Sequence, residues 1–317
     1  MIYAVTPNPA LDISGVVEQL VPNEKNYVHS ESRSAGGNAV NVARLLTKFG
    51  IPTRATGFLG GGVGRELMAL LEQERVKHHF VEIEDDTRVN VTVSNARTHQ
   101  QTRLSFAGPR IKAQEIRALE LQLSSSRVTM VALGGSLPPG FHTSHAMRLI
   151  RRAHARKIPV IVDCPGHILR RLHLNGVLLI KPNIVEFQEL IGRKVEAMPT
   201  IARAAQELAK KARFVCVSSV HGGALLASRN SVWFGSPPRL KVRSSVGAGD
   251  SMVAAMTAVL WRVGFRSAIA DDELMPNLLR QGLAAAAATL SAPGTKLGSL
   301  HEMRRHLGGV TVRKLIL

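Results

Sequence analysis

Short, continuous runs of β-branched and apolar residues alternate along this chain with longer stretches whose apolar positions recur every three or four residues. MIYAVT at the start reads as a strand, as do VTMVALGG (128–135), IPVIVDC (158–164), VLLIKPN (177–183) and RFVCVSS (213–219). Between them, SHAMRLIRRAHARK, IVEFQELIG and TIARAAQELAKKA carry helical periodicity, and AAAAAT (284–289) reads as a tightly packed helix. GGNAVNVARLLTKFG (36–50) puts Val40, Ala43, Leu46 and Phe49 on one helical face and stops at Gly50, a residue suited to a left-handed helix end. Uninterrupted Val/Ile-rich strands separated by amphipathic helices predict a mostly parallel sheet covered on both faces, an α/β fold.

Two regions break that rhythm. Residues 12–32 and 88–107 alternate apolar and polar positions with no helix between, and the second reads as a hairpin turning near 98–101. They predict a small antiparallel subdomain, a lid inserted in an α/β core that otherwise runs as one domain over 1–317. No internal repeat or low-complexity linker divides the chain.

Composition narrows the class. Apolar residues make up 45% of the 317, enough for a large core. No apolar stretch approaches the ~18 residues of a membrane span, and the N-terminus lacks the basic region of a signal peptide. Two cysteines fifty-two positions apart supply neither a disulfide framework nor zinc-ligand spacing, which fits a reducing cytoplasm. The formal charge is +18, from 41 basic and 23 acidic residues. The basic residues are scattered and not interleaved with aromatics, so they read as a solvated surface rather than a nucleic-acid interface. If a polyanion contact exists, 296–317 is the best place for it.

In open parallel sheets, ligands gather beyond the carboxyl ends of the strands. Four polar or glycine-rich turns fall at such ends: Gly36-Gly37, Gly134-Gly135-Ser136, Lys181-Pro182-Asn183 and Gly247-Ala248-Gly249-Asp250. In SSVGAGDSMVAAM (244–256), Asp250 reads as a helix N-cap. The same turn also reads as an anion hole with one carboxylate facing it. Asn183 likewise is a candidate cap of the helix after it. Neither a P-loop nor a dinucleotide fingerprint nor a nucleophile elbow is present. What remains suits phosphoryl transfer, which needs fixed donors, a metal on the phosphates and an oriented base.

These motifs resemble the ribokinase-like sugar kinases, specifically their phosphofructokinase B branch. The likeness extends through TPNPALD, AGGNAVNVARLLTKFG, TRVNV, GGSLPPG, KPNIVEF, GGALL and SSVGAGDSMVAAM, in family order over nearly the whole chain. It implies a three-layer α/β/α core with a β-sheet lid, a homodimer formed through that lid, ATP as co-substrate, Mg²⁺, and a ketohexose phosphate as acceptor. By the same resemblance, Asp250 is the general base, and the amides of Gly247, Ala248 and Gly249 form the anion hole. Asp12, Gly36, Gly37 and Asn41 contact sugar hydroxyls. Lys25, Arg88, Arg103 and Ser136 hold the phosphate already on the sugar, although Lys25 and Arg103 are also readable as exposed lid charges. Asn183 and Glu186 match the N-x-x-E that positions Mg²⁺ through water and the nucleotide phosphates. Ser218 and Gly223 belong to the nucleotide loop.

The sequence departs from the branch in that loop. SSVHGGA (218–224) stands where S-L-G-x-x-G-A is common, and a β-branched Val220 is ill-suited to positive φ, which predicts a reshaped loop. Asn38 replaces a Lys or Gly, and Ser245 a Thr. The implied activity is that of a 6-phosphofructokinase, with 1-phosphofructokinase and tagatose-6-phosphate kinase as alternatives. A rival of another class is a non-catalytic sugar-phosphate or nucleic-acid binding protein on the same fold.

Overall fold

The computed structural model describes residues 1–98, 100–125, 127–264 and 270–317. In chain order, β1 (Ile2–Thr6) precedes β2 (Ala10–Val17), β3 (His29–Gly36), α1 (Asn38–Lys48), β4 (Thr53–Gly60) and α2 (Gly61–Gln73). Then come β5 (Val81–Ile83), β6 (Arg88–Asn95), β7 (Gln101–Ser105), α3 (Ala113–Gln122), β8 (Met130–Gly134), α4 (Thr143–Ala155), β9 (Val160–Asp163) and α5 (Gly166–Leu169). The remainder is β10 (Leu179–Ile180), α6 (Ile184–Ile191), α7 (Met198–Leu208), β11 (Phe214–Val220), β12 (Gly223–Ala227), β13 (Val232–Ser236), α8 (Ala248–Val263), α9 (Asp271–Leu290), α10 (Leu300–Leu307) and β14 (Thr311–Leu315).

Ten strands form one sheet in the order β14-β13-β12-β11-β10-β9-β8-β1-β4-β5. From β11 to β5 every neighbour is parallel, while β12, β13 and β14 add an antiparallel flank. The central strands are apolar throughout because both faces are covered. In β8, Met130 and Ala132 join the core beneath α1, α8 and α9, whereas Val131 and Leu133 join the core under α3, α4 and α7. β11 repeats this, with Phe214 and Cys216 on one side and Val215 and Val217 on the other. The period of two is present but invisible as polarity, since neither face meets water.

A second sheet of four strands, β3-β2-β6-β7, stands apart from the large one. Its strands reach beyond the 12–32 window that alternation marks: β2 begins at Ala10 and β3 runs to Gly36. The buried Ala10-Leu11 pair and the Ala35-Gly36 end carry no alternation, which is why the pattern misses them. The sheet is not wholly antiparallel either, because β2 and β6 pair in parallel, with Ala10 opposite Arg88. Of the predicted hairpin turn at 98–101, residue 99 lies outside the described residues. Gly50 takes φ 71°, as its place after α1 requires.

Candidate active site

The carboxyl ends of β1, β8, β9 and β10 face the start of α8 and the small sheet, and the conspicuous turns converge there. The helix cap is not Asp250 but Gly247, at φ 75°, ψ 0°. Asp250 occupies the third helical position instead, where a carboxylate suits the helix dipole. No side chain caps α8, so the amides of its first turn are left for a ligand. Glycine is required at 247 on two counts, the positive φ and the Leu297 methyl 2.5 Å from where a Cβ would stand. Ser251 Oγ donates to the Gly247 carbonyl at 2.8 Å and tightens the turn.

Asp250 is buried and accepts from Asn41 Nδ2 at 2.7 Å. Burial, then the Asp163 carboxylate, push its pKa up to about 7, against the pull of Asn41 and Lys181. Lys181 is itself buried, 3.3 Å from Asp163 Oδ1. Burial opposes its charge, but Asp163, Glu186 and Asp250 together hold its pKa above the usual value. A methyl group on Gly249 would lie 3.1 Å from Lys181 Nζ, so the ammonium sits against the glycine turn.

Two cavities meet at Asp250. The larger, about 1060 Å³, is lined by Asp12, Gly37, Asn41, Arg88, Arg103 and Ser136 among others. Asp12 accepts from Asn90 Nδ2 at 2.9 Å, and burial raises its pKa despite Asn90 and the nearby arginines. Gly36 is small for a direct reason: a Cβ there would come within 2.0 Å of the Asp12 carboxylate. Arg88 donates to the carbonyls of Phe106 (2.8 Å) and Asn8 (2.9 Å). These neutral partners fix its guanidinium without cancelling its charge. Ser136 Oγ accepts from Asn8 Nδ2 at 3.1 Å.

The second cavity, about 590 Å³, is lined by Lys181, Asn183, Ser218, Gly223, Ala248 and Gly249, with Leu283, Ala287 and Leu290 along an apolar wall. Asn38, Arg103, Glu186 and Asp250 line both spaces. Arg103 Nη2 donates to Ser245 Oγ at 3.0 Å, so an arginine of the small sheet reaches the glycine turn itself. Asn183 caps α6, its Oδ1 accepting from Val185 and Glu186 N–H, while Glu186 Oε2 accepts from Asn183 N–H at 2.8 Å. With these oxygens already engaged, and no group of three or more His, Cys, Asp or Glu placed to hold an ion among the described residues, the donor set fits Mg²⁺ only in an indirect mode. Such an ion keeps its waters and leans on phosphate oxygens.

In the 218–224 loop Val220 does not take positive φ. The residues at positive φ are Ser219 (59°), His221 (44°) and Gly222 (78°), and a register shift separates Ser218 from Val220. His221 Nε2 pairs with the Glu196 carbonyl at 2.8 Å, tying the loop to the segment before α7. Gly223 is small because a Cβ there would strike the Gly235 carbonyl of the adjacent strand at 2.1 Å.

Two candidates line neither cavity: Gly36, which packs against the Asp12 carboxylate, and Lys25, which is exposed with its ammonium over the Tyr27 ring. Sequence reasoning gave no role to Asn8, Asn90, Asp163 or Lys181, although Lys181 opens one of the four turns it singled out. An acid ending a buried strand (IPVIVDC) and a lysine opening KPN were the available signals for the last two.

The pfkB family carbohydrate kinase model matches residues 8–302. The chain is 34% identical over 308 residues to the ATP-dependent 6-phosphofructokinase isozyme 2 of Escherichia coli K12, covering 96% of this chain and 97% of that one. The crystal structure of E. coli phosphofructokinase-2 with substrates and products superposes at TM-score 0.88, with 33% identity over 97% of this chain and 98% of the other. A Thermotoga maritima protein named "Possible 1-phosphofructokinase" superposes at 0.87, with 26% identity over the full length of both chains. With the layered core, the small sheet and the converging turns already in place, these matches assign the chain to a family: it belongs to the pfkB carbohydrate kinases.

Proposed function

We propose that the protein is an ATP-dependent ketohexose-phosphate kinase, with fructose 6-phosphate as the preferred acceptor. The observation that carries this reading is the position of Asp250, a buried carboxylate beside the start of α8 at the junction of two cavities, one lined with cationic and hydroxyl-binding groups and the other opening onto uncapped helix amides. The 34% identity to a 6-phosphofructokinase supports the same substrate class.

In this mechanism the sugar phosphate lies in the larger cavity. Arg88 and Arg103 neutralise its phosphate, Ser136 donates to it, and Asp12 and Asn41 orient the hydroxyls. The nucleotide lies in the second cavity, its terminal phosphate against the amides of Ala248 and Gly249 and the Lys181 ammonium. Asp250 takes the proton from the attacking hydroxyl, while the helix start and Lys181 stabilise charge on the equatorial oxygens. Asn183 and Glu186 would hold Mg²⁺ through its waters, and the ion's contribution when bound is to offset charge on the nucleotide phosphates. The small sheet acts as a lid that excludes water from the transfer. Exposed Tyr27, Val28, Leu104 and Phe106 on that sheet and its loops are the surface through which a homodimer would form.

A coupled ADP-release assay across fructose 6-phosphate, fructose 1-phosphate and tagatose 6-phosphate tests the proposal, with highest kcat/KM expected for the first. A preference for fructose 1-phosphate would favour the reading suggested by the Thermotoga neighbour. No turnover on any of the three, with tight sugar-phosphate binding, would favour a non-catalytic protein. Asp250→Asn is expected to lower kcat by about 10²–10⁴ with near-normal binding.

A further inference from the structure

Resting on the assignment of Asp250 as the base, we infer that Arg44 is a positioning residue for it, dictating which end of the Asn41 amide faces the Asp250 carboxylate. Arg44 is 6% exposed and is not among the residues lining either cavity. Its Nη1 donates to Asn41 Oδ1 at 3.0 Å and to the Ala35 carbonyl at 2.9 Å. Its Nε donates to both carboxylate oxygens of Glu74, at 3.0 and 3.1 Å. Asn41 and Arg44 are three residues apart on α1, the spacing that brings side chains together on one helical face.

An asparagine amide has a donor end and an acceptor end of nearly the same shape. With the oxygen of Asn41 held by a guanidinium that cannot deprotonate, only the NH₂ end is left for Asp250, which it meets at 2.7 Å. Rotated by half a turn, the amide would set its oxygen against the carboxylate oxygen and disfavour the ionised base. Arg44 removes that alternative. Its own aim is fixed from two sides, by Glu74 at the end of α2 and by the Ala35 carbonyl at the end of β3. The other charged groups facing Asp250 are Asp163 from β9, Lys181 following β10 and Asp12 from β2, and none of them bonds the Asn41 amide in the hydrogen bonds among the described residues.

The test is the pH dependence of kcat/KM for the sugar phosphate, from pH 5 to 9, in Arg44→Met, Arg44→Lys, Asn41→Ala, Glu74→Gln and the Arg44→Met/Asn41→Ala double variant. Arg44→Met is expected to move the acid limb up by about one pH unit, the scale of one lost hydrogen bond to a carboxylate. Activity below the limb then falls about tenfold, with KM for ATP within about threefold of wild type. Arg44→Lys keeps the charge but not the fork, and moves the limb less in the same direction. Glu74→Gln, which keeps one acceptor for the guanidinium, lowers thermal stability and moves the limb less than Arg44→Met. In the double variant, Arg44→Met adds no shift beyond that of Asn41→Ala.

An acid limb unmoved in every folded Arg44 variant overturns the inference, and so does a full additional shift in the double variant, which would make Arg44 a charge acting independently of the amide. Titration of the Asp250 carboxyl carbon by NMR in the same proteins reads the positioning directly, without turnover. If Asp250→Asn retained wild-type activity, the base assignment would fall, while this titration would still decide whether Arg44 orients Asn41.

Discussion

A carboxylate left in water titrates near pH 4, too acidic to draw a proton from a sugar alcohol with much driving force. Asp250 gains basicity from burial and from Asp163, and the resulting pKa of about 7 has two measurable consequences. On the proposed mechanism turnover requires the ionised form of Asp250, so kcat/KM is expected to fall as pH drops through about 7; a profile flat from pH 8 to 5 would contradict the role. Stability should respond in the opposite sense. The folded pKa lies above the unfolded one, so between about pH 4 and 7 the folded state holds a proton that the unfolded chain releases, and stability declines as pH rises through that window. Asp250→Asn removes this penalty. Its gain in melting temperature over wild type is expected to be larger at pH 8 than at pH 5. At the cationic end of the site, Arg88→Ala should raise KM for the sugar phosphate at least about tenfold while leaving KM for ATP nearly unchanged, since a charge-assisted contact to a phosphate dianion is worth about 1.5–3 kcal/mol. Equal effects on both substrates would move Arg88 out of the sugar site. Asp250, Asn41 and Arg88 were legible because they stand inside recognisable local motifs. Lys181 and Asp163 were not: each looks like an ordinary turn or strand-end residue until the parallel pairing of β9 with β10 sets them 3.3 Å apart.

Elements differ in how plainly they announce themselves. α4, with one apolar stripe, is readable from periodicity, whereas α1 is buried from Ala39 to Leu46 and packs into two core clusters, so a single stripe describes only part of it. β10 retains only two residues of strand, Leu179 and Ile180, because the chain turns at once into the KPN segment that delivers Lys181 and the cap of α6. The parallel pairing of β2 with β6 could not be read, since no local pattern encodes a partner as distant as Arg88 is from Ala10. The 218–224 loop is the instructive case. A departure from the family pattern is visible in the sequence and puts a Val at a customary glycine position, yet the left-handed conformations fall on Ser219, His221 and Gly222 and not on Val220. Ser tolerates such a conformation far better than a β-branched residue does. Ser219→Val is therefore expected to destabilise the protein by about 1–2 kcal/mol and to raise KM for the nucleotide more than for the sugar phosphate. Denaturant titration and initial-rate kinetics check both, and an unchanged midpoint would show that the loop can relax.

On the scale of the molecule, the large sheet carries the turns of the candidate site and the small sheet is the proposed cover. The three-layer core followed from the alternation of strands and amphipathic helices; the antiparallel flank of β12 to β14 did not, because short apolar strands look alike whichever way their neighbours run. If two copies associate through the small sheet, Tyr27→Asp, which places a charge on a side chain 67% exposed in the monomer, should yield a lighter species in sedimentation velocity. An unchanged sedimentation coefficient would place the contact elsewhere. The bond from Arg103 to Ser245 then acquires a temporal meaning. On the proposed mechanism it would be a latch between the sheet that covers the substrates and the turn that receives the phosphoryl group, to be opened before products leave. Ser245→Ala should shorten product residence and, where release limits the cycle, make turnover faster at saturating substrate while leaving the single-turnover chemical step unaffected.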